Sequence, residues 1–433
     1  MTPSSASTSD VGVLPSAHAT RPRRILLAWE HGRNLGHLSR LGAIAGLLAQ
    51  SGTETAWAVP PAHLDAIKLG GNVRWYGASP HAAPTPTPTP NAGTPVRSFA
   101  DVLAALGFVD ETSLRRTVES WLQLFKDSNA DGVVLDYAPA AQLAALLADL
   151  PAAQITNGFD APPPHCPVFG IDVRGPMLDR RNAQQVAQLD RSIDSVARSL
   201  GRATGSSLNA LLRYPTRWYD CTEEADPYGP RSDGVYVGPT GQPEQAVQVD
   251  WPEGAADAPK VFVYLRDEAQ VNAVLQALGR AGARVICAWP GASASALAQR
   301  RGPSRTVVGC AIDLSTVLQE CDTVVNYGST TLVNQALLAG KPQLMLPTDV
   351  EKWLVARRVA AQRTGIVARW PVTDDSLVAA LHGLLHDPHI RGQAVGIRER
   401  QRGLNSRFPQ EMARFVHAVR SDGMASTTEK GIE

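Results

Sequence analysis

The 433-residue sequence is poor in several features, and each shortage argues against a class of protein. Its five cysteines, Cys166, Cys221, Cys287, Cys310 and Cys321, are scattered and form no Cys-x-x-Cys pair. That argues against a disulfide framework or a structural zinc site and points to a reducing compartment. Charge of neither sign is in excess, since 41 Lys and Arg face 41 Asp and Glu. No global field therefore directs the chain to nucleic acid or to an anionic membrane, and a charged ligand must be met by a local site. No run approaches eighteen apolar residues, so no transmembrane segment is expected. Residues 1–22 are rich in Ser, Thr, Ala and Pro and lack the apolar core of a signal peptide. They are read as a disordered tail on a cytoplasmic protein. The Gly-x-Gly-x-x-Gly fingerprint is also missing, which argues against a nicotinamide cofactor.

What is present is length, an apolar share of 44%, and a repeated alternation of buried-strand runs with helical periods. Ile25–Trp29, Thr55–Val59, Val73–Tyr76, Val133–Tyr137, Ala153–Thr156 and Trp218–Glu223 read as strands, with helical segments between them. The pattern restarts at Val261–Leu265 and continues through Gly365–Ala368. An α/β fold of two Rossmann-like domains follows, one over 23–240 and one over 260–406. The Gly, Pro, Gln and Asp-rich stretch 241–259 is the linker, 407–421 is an amphipathic helix, and 422–433 is a polar tail. The Pro-Thr alternation over 83–90 cannot join a central strand, because each proline removes a donor.

Candidate chemistry gathers at strand ends. Between Val324-Val325 and a helix bearing Leu332, Ala336 and Leu337 lies the turn Gly328, Ser329, Thr330 and Thr331. A permissive backbone, three hydroxyls and free N–H groups at a helix N-terminus suit a phosphate, or else form an ordinary helix cap. In the N-terminal half, the loop His31-Gly-Arg-Asn-Leu-Gly-His37 follows the first strand, and Asp136 ends another. His37 is suited to general base chemistry because an imidazole titrates near neutrality, and a carboxylate can fix its tautomer; the alternative is that both residues merely cap helices.

The stretch Thr323 to Pro347 resembles the donor-sugar signature of GT-B glycosyltransferases in altered form. Asn326 or Tyr327 stands at the family's His, Gly328-Ser329 at Gly-Gly, Gln335-Ala336-Leu337 at Glu-Ala-Leu, and Glu351-Lys352 at Asp-Gln, while Gly340-x-Pro342 and Pro347 are kept. Gly36-His37, with Asp136 about a hundred residues on, resembles the family's base and its orienting Asp. The resemblance implies two Rossmann-like domains facing across a cleft, with the last helix returning to the N-terminal domain. It implies a nucleotide-diphosphate-sugar donor in the C-terminal domain and a small-molecule or lipid acceptor in the N-terminal one. No metal or cofactor is implied, the nucleotide sugar being a co-substrate.

On that reading His37 and Asp136 are catalytic. Arg266, Ala311, Ile312, Tyr327, Gly328, Ser329, Thr330, Thr331, Gln335, Glu351 and Lys352 are on the donor side, and His31, Arg33, Asn157 and Phe159 on the acceptor side. The expected activity is an inverting hexosyltransferase. The missing donor His and the Glu-Lys replacement leave two rivals, a sugar-nucleotide epimerase and a non-catalytic nucleotide-sugar-binding protein.

Overall fold

The computed structural model describes residues 23–31, 36–61, 74–77, 96–169, 176–202, 205–241 and 246–428. The expected tail 1–22, the Pro-Thr segment 83–90 and residues 429–433 of the second tail lie outside these. Seven strands build the first sheet: β1 Arg24–Trp29, β2 Glu54–Val59, β3 Arg74–Gly77, β4 Gly132–Asp136, β5 Ala152–Thr156, β6 Thr216–Tyr219 and β7 Val235–Tyr236. Six build the second: β8 Lys260–Tyr264, β9 Arg284–Ala288, β10 Arg305–Val308, β11 Thr323–Asn326, β12 Gln343–Met345 and β13 Gly365–Val367.

The orders are β3-β2-β1-β4-β5-β6-β7 and β10-β9-β8-β11-β12-β13, and every pairing is parallel. A parallel sheet is covered by helices on both faces, which is why all six residues of β1 are buried. One face of the first sheet packs Leu26, Val133 and Leu135 against Trp121, Phe125 and Leu143. The other packs Ile25, Leu27 and Val134 against Leu41, Ile44 and Leu48, together with Phe408, Met412, Phe415, Val416 and Val419 of the last helix. The second sheet likewise has Val261 and Val263 on one side with Val274 and Leu278, and Phe262 and Val324 on the other with Leu332 and Ala336.

Each sheet reverses its winding direction once, between β1 and β4 and between β8 and β11. In open α/β sheets ligands bind outside the carboxyl ends of the strands at that point. Here both points lie toward one interdomain seam. The Asn157 side chain after β5 donates to Thr330 Oγ1 at 3.3 Å and to Glu351 Oε1 at 2.6 Å. The Thr222 N–H donates to Asn334 Oδ1 at 2.6 Å, and Ala225 packs with Val333, Leu337 and Val355.

Several elements exceed the sequence reading. β7 uses Val235-Tyr236, shortly before the linker, and helices Val350–Ala361 and Pro388–Arg400 add to the C-terminal domain. The last helix runs Arg407–Thr428, past the expected end at 421. Part of the stretch read as linker belongs to the C-terminal domain. Val247 bridges Ile312, while Val249 and Trp251 pack on the second sheet's core, an alternation of apolar residues masked by the surrounding Pro and Gly. No helix among the described residues is long and apolar enough to cross a membrane.

Candidate active site

β1 delivers the chain to Trp29, whose buried ring stacks on the His37 imidazole with centroids 4.9 Å apart. His37 sits in the first turn of the helix Gly36–Gln50, and Asp136 is the last residue of the neighbouring strand β4. Nδ1 of His37 is 2.8 Å from Asp136 Oδ1. With the carboxylate as acceptor, Nδ1 carries the ring proton and Nε2 keeps its lone pair. Asp136 is 1% exposed. Burial alone would push its carboxyl up, but the Arg40 guanidinium and then His37 more than offset this and hold it below the usual range.

Around this pair lies a set of buried groups. His31 N–H donates to the Tyr137 carbonyl at 3.2 Å, and the two rings meet edge-on at 5.7 Å. Tyr137 adopts φ +48°, a left-handed conformation that a bulky residue rarely takes, and its ring lies 6.4 Å from that of His37. Burial lowers His31 to about 4, so it is neutral near pH 7. Its Nε2 lies 3.5 Å from the carboxylate of Glu30. Glu30 accepts from Ala140 and Ala141 N–H at 3.0 and 2.7 Å, at the N-terminus of helix Pro139–Ala148. Burial nevertheless raises it to about 7, the backbone donors opposing.

Of the acceptor-side residues, His31 and Asn157 lie at this site, and Arg33 lies outside the described residues. Phe159 requires correction. It is 7% exposed and stacks within the N-terminal core, 5.6 Å from Phe169 and 5.9 Å from Phe99, because an aromatic ring next to a core strand gains more from burial than from solvent. Its backbone N–H donates to Asn157 Oδ1 at 3.1 Å.

On the opposite domain, Asn326 is fully buried. Its amide donates to Gln343 and its oxygen accepts the Gly328 N–H at 2.8 Å, so it shapes the turn. Gly328 has φ +83° and its missing Cβ would lie 2.9 Å from that of Lys352, so only glycine fits. Tyr327 is itself buried, within the second domain's core. Its ring lies 5.4 Å from Tyr264, with the Arg266 guanidinium 5.6 Å and the Lys352 ammonium 5.7 Å from its centroid.

Ser329 is the N-cap of helix Thr330–Leu338, yet its side chain makes no capping bond, which argues against the ordinary-cap alternative there. Gln335 buries both amide atoms with no hydrogen-bond partner among the described residues. Glu351 is pushed up by burial, with Lys352 and the Asn157 amide opposing. The Lys352 ammonium pairs with Asp349, the N-cap of its own helix. The Ala311 carbonyl accepts from Val247 N–H at 3.0 Å, and Ile312 is buried. Both residues therefore already help hold the returning linker.

Sequence reasoning missed Arg40, Asp220, Glu30 and Tyr137. Arg40 was visible as the residue three places after His37 on one helix face. Asp220 gave no signal, because its approach depends on how β6 lies beside β5.

Two parallel domains meeting at their switch points, with a His-Asp pair on one side and a helix N-terminus on the other, make the GT-B fold of glycosyltransferases. Residues 272–419 match the family described as Erythromycin biosynthesis protein CIII-like, C-terminal domain. The whole chain is similar in structure to the calicheamicin glycosyltransferase CalG4, with TM-score 0.68, 18% identity, and coverage of 92% of this chain and 100% of that one. The glycosyltransferase SnogD from Streptomyces nogalater aligns at TM-score 0.63 and 18% identity over 92% and 100% of the two chains. The glycosyltransferase VinC in complex with DTDP gives TM-score 0.63 at 18% identity, with the same shares. No curated protein sequence matches the chain.

Proposed function

We propose that this protein transfers a hexosyl group, with inversion, from a nucleoside-diphosphate sugar to a hydroxyl of a small molecule or lipid. The observation that carries this is the 2.8 Å contact between His37 Nδ1 and buried Asp136, which leaves Nε2 to take the acceptor proton. The deprotonated hydroxyl attacks the anomeric carbon from the face opposite the leaving diphosphate. Charge developing on that diphosphate meets the N-terminus of helix Thr330–Leu338, the hydroxyls of Ser329, Thr330 and Thr331, and the cation Arg266 beside Tyr327. No resident cofactor takes part in this scheme. The buried amide of Gln335 gains partners from the donor. That the relative VinC was solved with DTDP supports a nucleoside diphosphate as the donor's leaving part. The protein works where its five unpaired cysteines stay reduced, as in a cytoplasm.

The test is a thermal-shift screen against uridine, thymidine and guanosine diphosphate glucose. A donor at a hundred times its dissociation constant adds about 2.7 kcal/mol of stability. The stabilising donor is then offered to an acceptor panel and the products read by mass. Donor binding with no transfer and no donor hydrolysis would support a binding protein instead, and an altered free sugar nucleotide would support the epimerase.

A further inference from the structure

The base is held by more than Asp136. Arg40 is buried one turn along the same helix, with Nε 3.0 Å from Asp136 Oδ2 and Nη2 2.6 Å from Oδ1. Its Nη1 reaches Asp220 Oδ2 at 3.4 Å. Asp220 in turn accepts the Thr240 N–H at 2.6 Å and the Thr240 hydroxyl at 2.7 Å. Nη2 also lies 2.9 Å from His37 Nδ1; in the tautomer whose Nδ1 proton points at Asp136, both groups donate to the shared acceptor Oδ1, whereas in the other tautomer Nη2 donates to a bare Nδ1. The charged groups facing the guanidinium are Asp136, Asp220 and, at longer range, Asp160, with His37 on its own helix.

We propose that Arg40 is a positioning residue for the base: its fork on Asp136 keeps that carboxylate a pure acceptor, which keeps the His37 proton on Nδ1 and Nε2 bare. The inference rests on the reading of His37 as the base. Its logic is proton bookkeeping. A carboxylate buried as deeply as Asp136 does not stay ionised without a cation beside it. If it takes a proton from solvent, its O–H donates to Nδ1 and the imidazole's own proton moves to Nε2. If the imidazole takes the solvent proton instead, Nε2 is again protonated. Either way the lone pair that would accept the substrate proton is gone. Lysine does not reproduce the effect fully, because an ammonium is a point donor that cannot span both carboxylate oxygens.

The network continues to the interdomain connection. A Cβ on Gly241 would lie 3.1 Å from Ser39 Oγ and 3.3 Å from Arg40 N, so the backbone at Gly241 rests directly on the helix that carries His37.

The test reads the imidazole itself. In protein with ¹⁵N-labelled histidine at pH 8, His37 of the wild type is expected to show a protonated Nδ1 and a bare Nε2. In Arg40→Gln, Nε2 becomes protonated, transfer falls by about tenfold or more, and donor affinity stays unchanged. Arg40→Lys recovers part of the bare-Nε2 signal. If Arg40→Gln does not fold, Arg40→Gln combined with Asp220→Asn strands one carboxylate fewer and is expected to give the same spectrum. A folded variant that keeps Nε2 bare overturns the role of Arg40 and leaves the base assignment standing. A wild type whose Nε2 already bears the proton overturns the base assignment itself.

Discussion

The two switch points of the molecule carry opposite kinds of site. Around His37 each charge already has a protein partner: Asp136 has Arg40 and the imidazole, Arg40 has two carboxylates, and Asp220 has Thr240. Around Ser329 the pairing is less complete, although Lys352 has Asp349 and Glu351 has Asn157. The N-cap hydroxyl caps nothing and the Gln335 amide lacks a partner among the described residues, while two cations converge on one tyrosine ring. The difference teaches a division of labour. Under the proposed function, a group that must accept a proton at the moment of reaction is set beforehand by the fold, whereas a site for a dianionic ligand leaves donors for the ligand to complete.

The comparison breaks most visibly at the base. His37→Ala is expected to lower transfer by about 100- to 10,000-fold while donor binding, measured by calorimetry, stays intact. Asp136→Asn should cost no more than the histidine change. The double variant should add little to it, because residues that act as one unit are not additive. Near wild-type turnover without His37 would move the base elsewhere and end the contrast.

Glu30 sharpens it, as a member of the N-terminal cluster whose burial is met by backbone donors and the Trp121 indole, with no cation among the causes. Its folded carboxyl lies at about 7 against an ordinary value of 4.5. The stability linked to it is fully present below the unfolded value and is lost as pH rises through the folded one. Unfolding free energy should therefore decline by at most about 3 kcal/mol between these limits. Denaturant titrations across that range should show a flatter course for Glu30→Gln, and identical courses would mean that Glu30 titrates normally.

The donor side is expected to respond less. Thr330→Val with Thr331→Val should weaken nucleotide-sugar binding by roughly 1 to 3 kcal/mol, through lost hydrogen bonds to a charged group, without harming the fold. Unchanged affinity would place the diphosphate away from this turn. The smallest effect belongs to Lys352→Gln. Because the ammonium is already engaged by Asp349, affinity for the free nucleoside diphosphate should hold while the ranking among donor sugars changes. Equal losses for every ligand would make Lys352 a phosphate contact.

Legibility in the sequence followed the range of the forces involved. Strand runs such as Ile25–Trp29 and the Gly328-Ser329 turn announce themselves, because burial period and backbone freedom act over a few residues. His37 and Asp136 could be paired across ninety-nine positions only by resemblance to a family, not by local chemistry. Arg40 escaped notice because a helix arginine is usually a solvated face, and only β4 and β6 arriving beside it turn it into a buried clamp. Phe159 was misplaced for the converse reason: its loop lies at the site, but its ring turns into the core. The alternation Val247, Val249, Trp251 was legible in principle and was hidden by the prolines and glycines on either side.

The last helix closes the N-terminal sheet with residues drawn from beyond the C-terminal domain, Phe408 and Phe415 meeting Trp218 edge-on at 5.5 and 5.6 Å. During synthesis the first domain emerges long before the segment that covers it. Until the ribosome has passed residue 419, one face of that sheet lacks Phe408, Met412, Phe415, Val416 and Val419, so the half made first is the half finished last. Domains usually mature in the order of translation. In this chain a ribosome that stalls after the C-terminal domain would leave the N-terminal domain as the sticky, chaperone-dependent partner of a finished neighbour.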